Sequence, residues 1–416
     1  MYFVNTKCSI PNNPRRRQAP APPRDMYEPA PLVEVQGPPE ARGRQYGLAA
    51  GERIARGIAH YREQLARQSF DDVALARAVA ALVPRIEAFE STFVPEMHAI
   101  ARGAEQAFEH IVLLNARTEI LQLATQRKGA ASVVSPVDQD PDGCTGVVVL
   151  PQATQAGELI HAQNWDWKAE CAETAVVLKV LADAGDAGPD LLTFTEAGAL
   201  GRCGFNAAGI AISANYLECD RDGRHQGVPL ALIRRKVLMQ RHLALAMRAV
   251  YVTPKSSSNN MIVSHAQGLA IDFECAPDET FQVQAEGGLL VHANHWLSPV
   301  ALTKLRDTGI ASSPDSLYRD QRVRHLLTTR LGAGARLGVS DVKAALFDAF
   351  GGEWAVCRPL RRNLSNNLST SVAMIVMTPA RGEMQVAMLP ALNRDFTTYR
   401  LESCFEPVLP NTLPQE

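Results

Sequence analysis

Cys144 is the residue of this sequence best suited to covalent chemistry, because it follows a glycine and heads an apolar run. The phrase Asp142-Gly143-Cys144-Thr145 leads into residues 147–150, which have the composition of a β-strand. About one hairpin downstream, the phrase Gln163-Asn164-Trp165-Asp166 ends in a carboxylate. This arrangement suits a precursor that cuts its own backbone between Gly143 and Cys144 and then uses the freed Cys144 as a nucleophile.

A cysteine at a chain terminus would carry its own base. A thiol with an ordinary pKa of about 8.5 is mostly protonated at neutral pH, whereas an α-amino group titrates near pH 8 and lies within reach of the sulfur. Gly143 favours the cut, because a residue without Cβ tolerates a strained backbone and leaves its carbonyl open to attack. Taken alone, however, Gly143 and Cys144 are more typical of an ordinary loop.

Composition argues against several other classes of protein. The 42 basic and 44 acidic side chains give a net charge of −2. Such a balance gives no overall positive potential to attract nucleic acid or an anionic membrane. The eight cysteines lack the spacing of a zinc site, and the chain is too large for a disulfide scaffold. No apolar run reaches the length of a transmembrane helix, and the amino end lacks a secretory signal. We therefore expect a cytoplasmic protein.

The residue pattern divides the chain into three regions. Residues 1–42 carry nine prolines around a run of three arginines, which predicts a disordered tail. Residues 43–143 are expected to form a helical pro segment, with three or four helices between about 45 and 125. Residues 144–416 are expected to form the catalytic part, in one integrated domain with residues 43–143.

Beyond Cys144, β-rich runs come in pairs separated by turns, which predicts hairpins and mainly antiparallel sheets. The pairs are 145–150 with 159–167, 175–181 with 191–194, 261–264 with 269–274, and 372–377 with 385–389. Helical patterns interrupt them at 229–250, 317–331 and 341–350. The expected fold class is α+β, with helices covering two packed sheets.

Several phrases together resemble the isopenicillin N acyltransferase family, also called the acyl-coenzyme A:6-aminopenicillanic acid acyltransferase family, of N-terminal-nucleophile hydrolases (peptidase C45 type). The resemblance covers roughly residues 43–400 and implies a four-layer αββα fold with two stacked antiparallel sheets. It also implies an α/β heterodimer made by self-cleavage of one precursor. The phrases that carry it are residues 115–119, 142–145, 163–166, 195–198, 204–209, 292–295 and 357–358.

The resemblance also implies roles for individual residues. Cys144 corresponds to the nucleophile, with its α-amino group as base, and Asp166 to the acid that orients this amine. Asn294 corresponds to the side chain that donates to the oxyanion, and Arg358 to an arginine near the sulfur that favours the thiolate.

Asn215 and Asn164 are further candidates for an oxyanion donor or a pocket wall. His292 and His295, which flank the Asn294 phrase, are metal-ligand types, but with no HExxH motif and no third ligand nearby we predict no metal site. No cofactor is expected, although acyl-CoA is a candidate substrate.

Three functions remain open from the sequence. The first is a hydrolase that forms an acyl thioester on Cys144 from a small amide and passes it to water. The second is an acyl-CoA-dependent acyltransferase of the isopenicillin N type, although the C-terminal tripeptide is not the peroxisomal signal expected of fungal members. The third is an uncleaved, non-catalytic binding homologue. A papain-type protease is disfavoured, because its cysteine heads a helix whereas Cys144 heads a strand.

Overall fold

The first strand lies in a region that the sequence assigned to the tail. The structure is a computed structural model, and it describes residues 28–131, 143–183, 188–362 and 368–402. Strand β1 (Leu32–Gln36) pairs in parallel with β4 (Ala175–Leu181) and buries Val33 and Val35. The predicted tail is therefore wrong for residues 28–42, because prolines flank this alternating run without interrupting it. Residues 1–27 lie outside the described part of the chain.

A layer of five helices occupies residues 39–131, where three or four were predicted. The first helix buries Ile54, Ile58 and Leu65, which follow the helical period noted in the sequence. Asp71 caps the second helix by accepting a hydrogen bond from Ala74 N at 2.8 Å. The helices are α1 (Pro39–Arg67), α2 (Asp72–Phe89), α3 (Phe93–Gly103), α4 (Phe108–Asn115) and α5 (Arg117–Ala131).

The first sheet has eight strands in the order β1-β4-β5-β6-β7-β8-β9-β10 within the described residues. Every neighbouring pair is antiparallel except β1 with β4. Its remaining strands are β5 (Leu191–Glu196), β6 (Cys203–Asn206), β7 (Ile210–Tyr216), β8 (Asn259–His265), β9 (Leu269–Cys275) and β10 (Thr280–Gln284).

The second sheet has seven strands among the described residues, with the main order β11-β2-β3-β13-β14-β15 and β12 attached to β13. All its pairs are antiparallel. The four predicted hairpins, two in each sheet, are therefore confirmed. The strands are β2 (Gly143–Val149), β3 (Ile160–Lys168), β11 (Leu289–His292), β12 (Arg361–Arg362), β13 (Leu368–Thr378), β14 (Glu383–Met388) and β15 (Thr397–Arg400).

Three apolar clusters define the layers. One joins the first sheet to α1–α5 and to α6 (Leu230–Leu238) and α7 (Leu243–Tyr251). A second lies between the sheets and includes Trp165 and Phe194. A third joins the second sheet to α9 (Asp315–Gly332) and α10 (Val339–Leu346). The predicted α+β class and αββα layering are therefore confirmed.

A short helix, α8 (Pro299–Lys304), packs at the side of the first sheet through Ala301. Ser298 caps it by accepting from Ala301 N. Among the helices of the described ranges, none has the length and apolar character to cross a bilayer.

Candidate active site

The β2–β3 hairpin sets the two faces of the site. In its antiparallel register Cys144 lies opposite Trp165, and Gly143 lies opposite Asp166. Cys144 and Trp165 belong to the apolar cluster between the sheets. Because side chains alternate along a strand, Gly143 and Asp166 lie on the opposite face, toward α9. The sulfur and the Asp166 carboxylate thus sit on different faces of the same hairpin.

Side chains hold both backbone polar groups of Cys144. Cys144 N donates to Asn294 Oδ1 at 2.9 Å, and Arg319 Nη1 donates to Cys144 O at 2.7 Å. Arg319 Nη2 also donates to Asn294 Oδ1 at 2.8 Å. Cys144 N and Arg319 Nη2 therefore fix the side-chain amide of Asn294 with its oxygen toward the hairpin. Asn294 Nδ2 donates to Tyr216 O at 2.9 Å. In the uncut chain Asn294 therefore holds the nitrogen that cleavage would free.

Asp166 lies beside Gly143, where there is little room for a side chain. Its Oδ1 accepts from Ser371 Oγ at 2.5 Å, and its Oδ2 lies 3.3 Å from Arg358 Nε. A Cβ added to Gly143 would lie 2.8 Å from Arg358 Nη1 and 3.0 Å from Asp166 Cβ. Burial raises the pKa of Asp166, an effect that the positive charge of Arg358 opposes. Glycine is the residue that fits this position.

Asp315 and Arg319, at the start of α9, complete a buried cluster of charges that sequence reasoning missed. Asp315 Oδ2 lies 2.5 Å from Arg358 Nη2 and accepts from Arg319 Nε at 2.7 Å. Burial alone would raise the pKa of Asp315, but the two arginines outweigh it and hold the pKa well below its usual range. Asp166 belongs to the same cluster through Arg358. Through Arg319, the cluster connects the backbone carbonyl of Cys144 to α9.

Arg202 contacts the sulfur, and it too was not singled out in the sequence. Its Nη2 donates to Cys144 Sγ at 3.8 Å, and its guanidinium carbon lies 4.0 Å from the centre of the Trp165 ring. Arg358, for which a place near the sulfur was predicted, contacts Asp166 and Asp315 on the other face of the hairpin. A signal for Arg202 existed, since it lies two residues before the phrase at residues 204–209.

The two asparagines predicted near the pocket are placed differently. Asn215 Nδ2 donates to His292 O at 3.0 Å, and its Oδ1 accepts from Gln163 Nε2 at 2.8 Å, so it bridges the sheets. Asn164 donates to Leu346 O at 2.8 Å and to Val356 O at 3.0 Å. The prediction that Asn164 lines the pocket is wrong, because strand alternation turns it away from the Cys144 side chain and toward α10.

His292 belongs to a second buried cluster, behind Asn294. Its Nε2 lies 2.8 Å from Glu274 Oε1 and 3.7 Å from Asp272 Oδ2. Burial opposes protonation of His292, but the two carboxylates outweigh burial and raise its pKa to about 9. Burial lowers the pKa of His295 to about 4. In the part of the chain that the structure describes, no group of three or more His, Cys, Asp or Glu side chains is placed to hold a metal ion.

A small cleft adjoins Arg202 on the side of the helical layer. It holds about 20 Å³ of free space, roughly the room of one water molecule. Residues from before the proposed cut, including Arg117 and Glu119, line it together with Arg202 and Arg234. Arg117 Nε pairs with Glu196 Oε2 at 3.0 Å.

Comparison with known proteins assigns the chain to a class and then to a family. Two sheets packed between helical layers place the chain in the α+β class with αββα layering. Residues 153–388, more than half of the chain, match the family described as acyl-coenzyme A:6-aminopenicillanic acid acyl-transferase. The chain belongs to this family, and it is an enzyme of amide-bond chemistry. The matched residues include Asp166, Asn215, Asn294 and Arg358, and they begin after Cys144.

Individual relatives are distant. The 40 kDa form of acyl-coenzyme A:6-aminopenicillanic-acid-acyltransferase from Emericella nidulans is 28% identical over 308 residues, which cover 71% of this chain and 77% of the relative. A mutant conjugated bile acid hydrolase from Clostridium perfringens has a TM-score of 0.44 at 12% identity, over 62% of this chain and 92% of its own. Penicillin V acylase from Agrobacterium tumefaciens has a TM-score of 0.38 at 16% identity, over 62% of this chain and 86% of its own.

Proposed function

We propose that this protein cuts its own chain between Gly143 and Cys144, forms an acyl thioester on Cys144 from a small amide, and passes the acyl group to water. The observation that carries the proposal is the geometry of the Gly143–Cys144 peptide unit. Asn294 holds its nitrogen, while Arg358 and Asp166 crowd the preceding residue so closely that a glycine is needed there. Both features lie at the bond that the proposed cut would break.

In the proposed cut, Cys144 Sγ attacks the carbonyl carbon of Gly143. The bond between that carbon and Cys144 N breaks, the nitrogen leaves as an amine carrying the thiol proton, and Gly143 becomes a thioester on the sulfur. Water then hydrolyses the thioester and frees both the Gly143 carboxylate and the Cys144 thiol. Asn294 Oδ1, which already accepts from this nitrogen, would hold the new α-amino group.

Turnover would repeat the same chemistry on an external amide. The α-amine of Cys144 takes the thiol proton, and the thiolate attacks the substrate carbonyl. Asn294, whose Nδ2 donates to Tyr216 O in the uncut chain, is the side chain that we assign to the developing oxyanion. The α-ammonium returns its proton to the leaving amine. Water, deprotonated by the same amine, then releases the acid.

The two fragments would remain together as an α/β heterodimer. Asn115, before the cut, donates to Gly198 O at 2.9 Å and accepts from Leu200 N at 2.8 Å. Glu119 accepts from Leu230 N at 2.9 Å. All these contacts are buried, and they join residues 43–143 to the part that follows the cut, so the helical segment should stay bound after cleavage.

Transfer to an amine is the second candidate, because the matched family and the Emericella nidulans relative are described as acyltransferases. In this function, acyl-CoA or another acyl donor forms the thioester, and an amine attacks it in place of water.

Turnover of a panel of small amides and acyl-CoA donors distinguishes the two functions when it is measured with and without an added acceptor amine. We expect free acid as the main product in both conditions, and no product from Cys144→Ala. A new amide that forms faster than free acid would favour transfer. An uncut wild-type chain that binds these ligands without turnover would identify a binding homologue.

A further inference from the structure

The sulfur of Cys144 has a guanidinium as its neighbour in the layer between the sheets. Arg202 Nη2 donates to Sγ at 3.8 Å, and the guanidinium lies over Trp165, the cross-strand neighbour of Cys144. A guanidinium above an indole ring is held by cation–π attraction. Arg202 is only 6% exposed, so little water separates it from these partners. The hairpin that positions the nucleophile therefore also positions the cation.

An ionised sulfur at this place would need such a partner. Cys144 is 1% exposed and belongs to an apolar cluster with Phe194 and Val372. A charge taken out of water in these surroundings is costly unless an opposite charge lies beside it. An arginine guanidinium supplies a positive charge beside the sulfur, and its planar group can donate a hydrogen bond to it.

We propose that Arg202 is a further catalytic residue, which stabilises the thiolate of Cys144 through its contact with Sγ. The inference rests on the proposed function, in which Cys144 is the nucleophile. The thiol proton passes to the α-amine of Cys144, and the negative sulfur keeps its hydrogen bond from Arg202. Arg202 stabilises the sulfur again when the thioester breaks down and the thiolate leaves.

The test is the rate at which iodoacetamide alkylates Cys144 between pH 5 and pH 10. Peptide mass spectrometry reads the label at this site and separates it from the other cysteines. In Arg202→Met we expect alkylation at pH 7 to be about tenfold slower or more, with the half-maximal rate about one pH unit higher. Arg234→Met is the matched control, because it removes another buried arginine of the same cleft, and its profile should follow the wild type.

A wild-type profile in Arg202→Met, or an equal shift in Arg234→Met, would overturn the proposal. If Arg202→Met does not fold, the wild-type profile decides, since a half-maximal rate at or above the ordinary thiol value of about pH 8.5 contradicts a stabilised thiolate. The contact with Sγ is present in the uncut chain, so the assay is informative on either form. An uncut protein with the expected shift would therefore contradict the proposed function and support the role of Arg202.

Discussion

Replacing Asp315 with Asn tests the buried cluster of charges beside the proposed cleavage site. Asp315 Oδ2 contacts Arg319 Nε at 2.7 Å and Arg358 Nη2 at 2.5 Å, and all three side chains are almost fully buried. Removing one partner of a buried ion pair typically costs about 3–5 kcal/mol, because the charge that remains is left without compensation. We expect Asp315→Asn to lower the free energy of unfolding by this amount.

The assay is urea denaturation in a Cys144→Ala background, which keeps the chain uncut. Asp320→Asn is the matched control on the same helix, because Asp320 pairs with Arg324, whose side chain is 35% exposed, and such pairs contribute at most about 1 kcal/mol. A loss below about 1 kcal/mol for Asp315→Asn, or equal losses for both variants, would refute the reasoning. In the Cys144 background, Asp315→Asn should also slow self-cleavage, because Arg319 loses its anchor.

Three further predictions concern cleavage, turnover and pH. Gly143→Ala should slow self-cleavage about tenfold to a hundredfold, measured by mass spectrometry over time, because a Cβ there would crowd the Arg358 guanidinium. Asn294→Asp should still cut itself, since it keeps an oxygen for Cys144 N, but its turnover should fall about 10²- to 10³-fold without the amide donor. The free energy of unfolding should fall by about 3 kcal/mol between pH ~6.5 and ~9, because burial disfavours the His292 imidazolium but two carboxylates raise its pKa to about 9.

The contribution of His292 is fully present below its unfolded pKa of about 6.5 and is lost as the pH rises through the folded value. The difference between wild type and His292→Gln in urea isolates it. Buried thiols, such as Cys203 with a pKa raised to about 12 by burial, also lower stability at high pH, but they cancel in this difference. A difference that stays constant with pH would contradict the assignment, as would equal cleavage rates for Gly143→Ala and wild type. Turnover retained in Asn294→Asp would contradict the assignment of Asn294 as the oxyanion donor.

Local patterns were sufficient to predict most of the fold. The β2–β3 and β8–β9 hairpins follow from apolar runs broken by turn residues, and such signals lie within a few residues of each other. Strand β1 was missed, because surrounding prolines suggested disorder and its partner β4 lies far away in the sequence. Parallel pairing of this kind leaves no turn to recognise.

The site was only partly predictable for the same reason. Cys144, Asp166 and Asn294 stand in distinctive phrases, and the structure brings the first and last into contact. Arg319 lies in an ordinary helical pattern, and nothing local distinguishes an arginine that reaches a backbone carbonyl 175 residues away from one that faces solvent. Asn164 was misassigned although its phrase was recognised, because face assignment in a strand depends on which neighbour is buried.

The most direct test of the central claim is the N-terminal sequence and intact mass of the purified protein. Self-cleavage predicts a fragment that starts Cys144-Thr145-Gly146-Val147 and runs through residue 416, together with the helical fragment that ends at Gly143. Cys144→Ala should remain one chain. A wild-type protein that stays a single chain on long incubation would contradict the account.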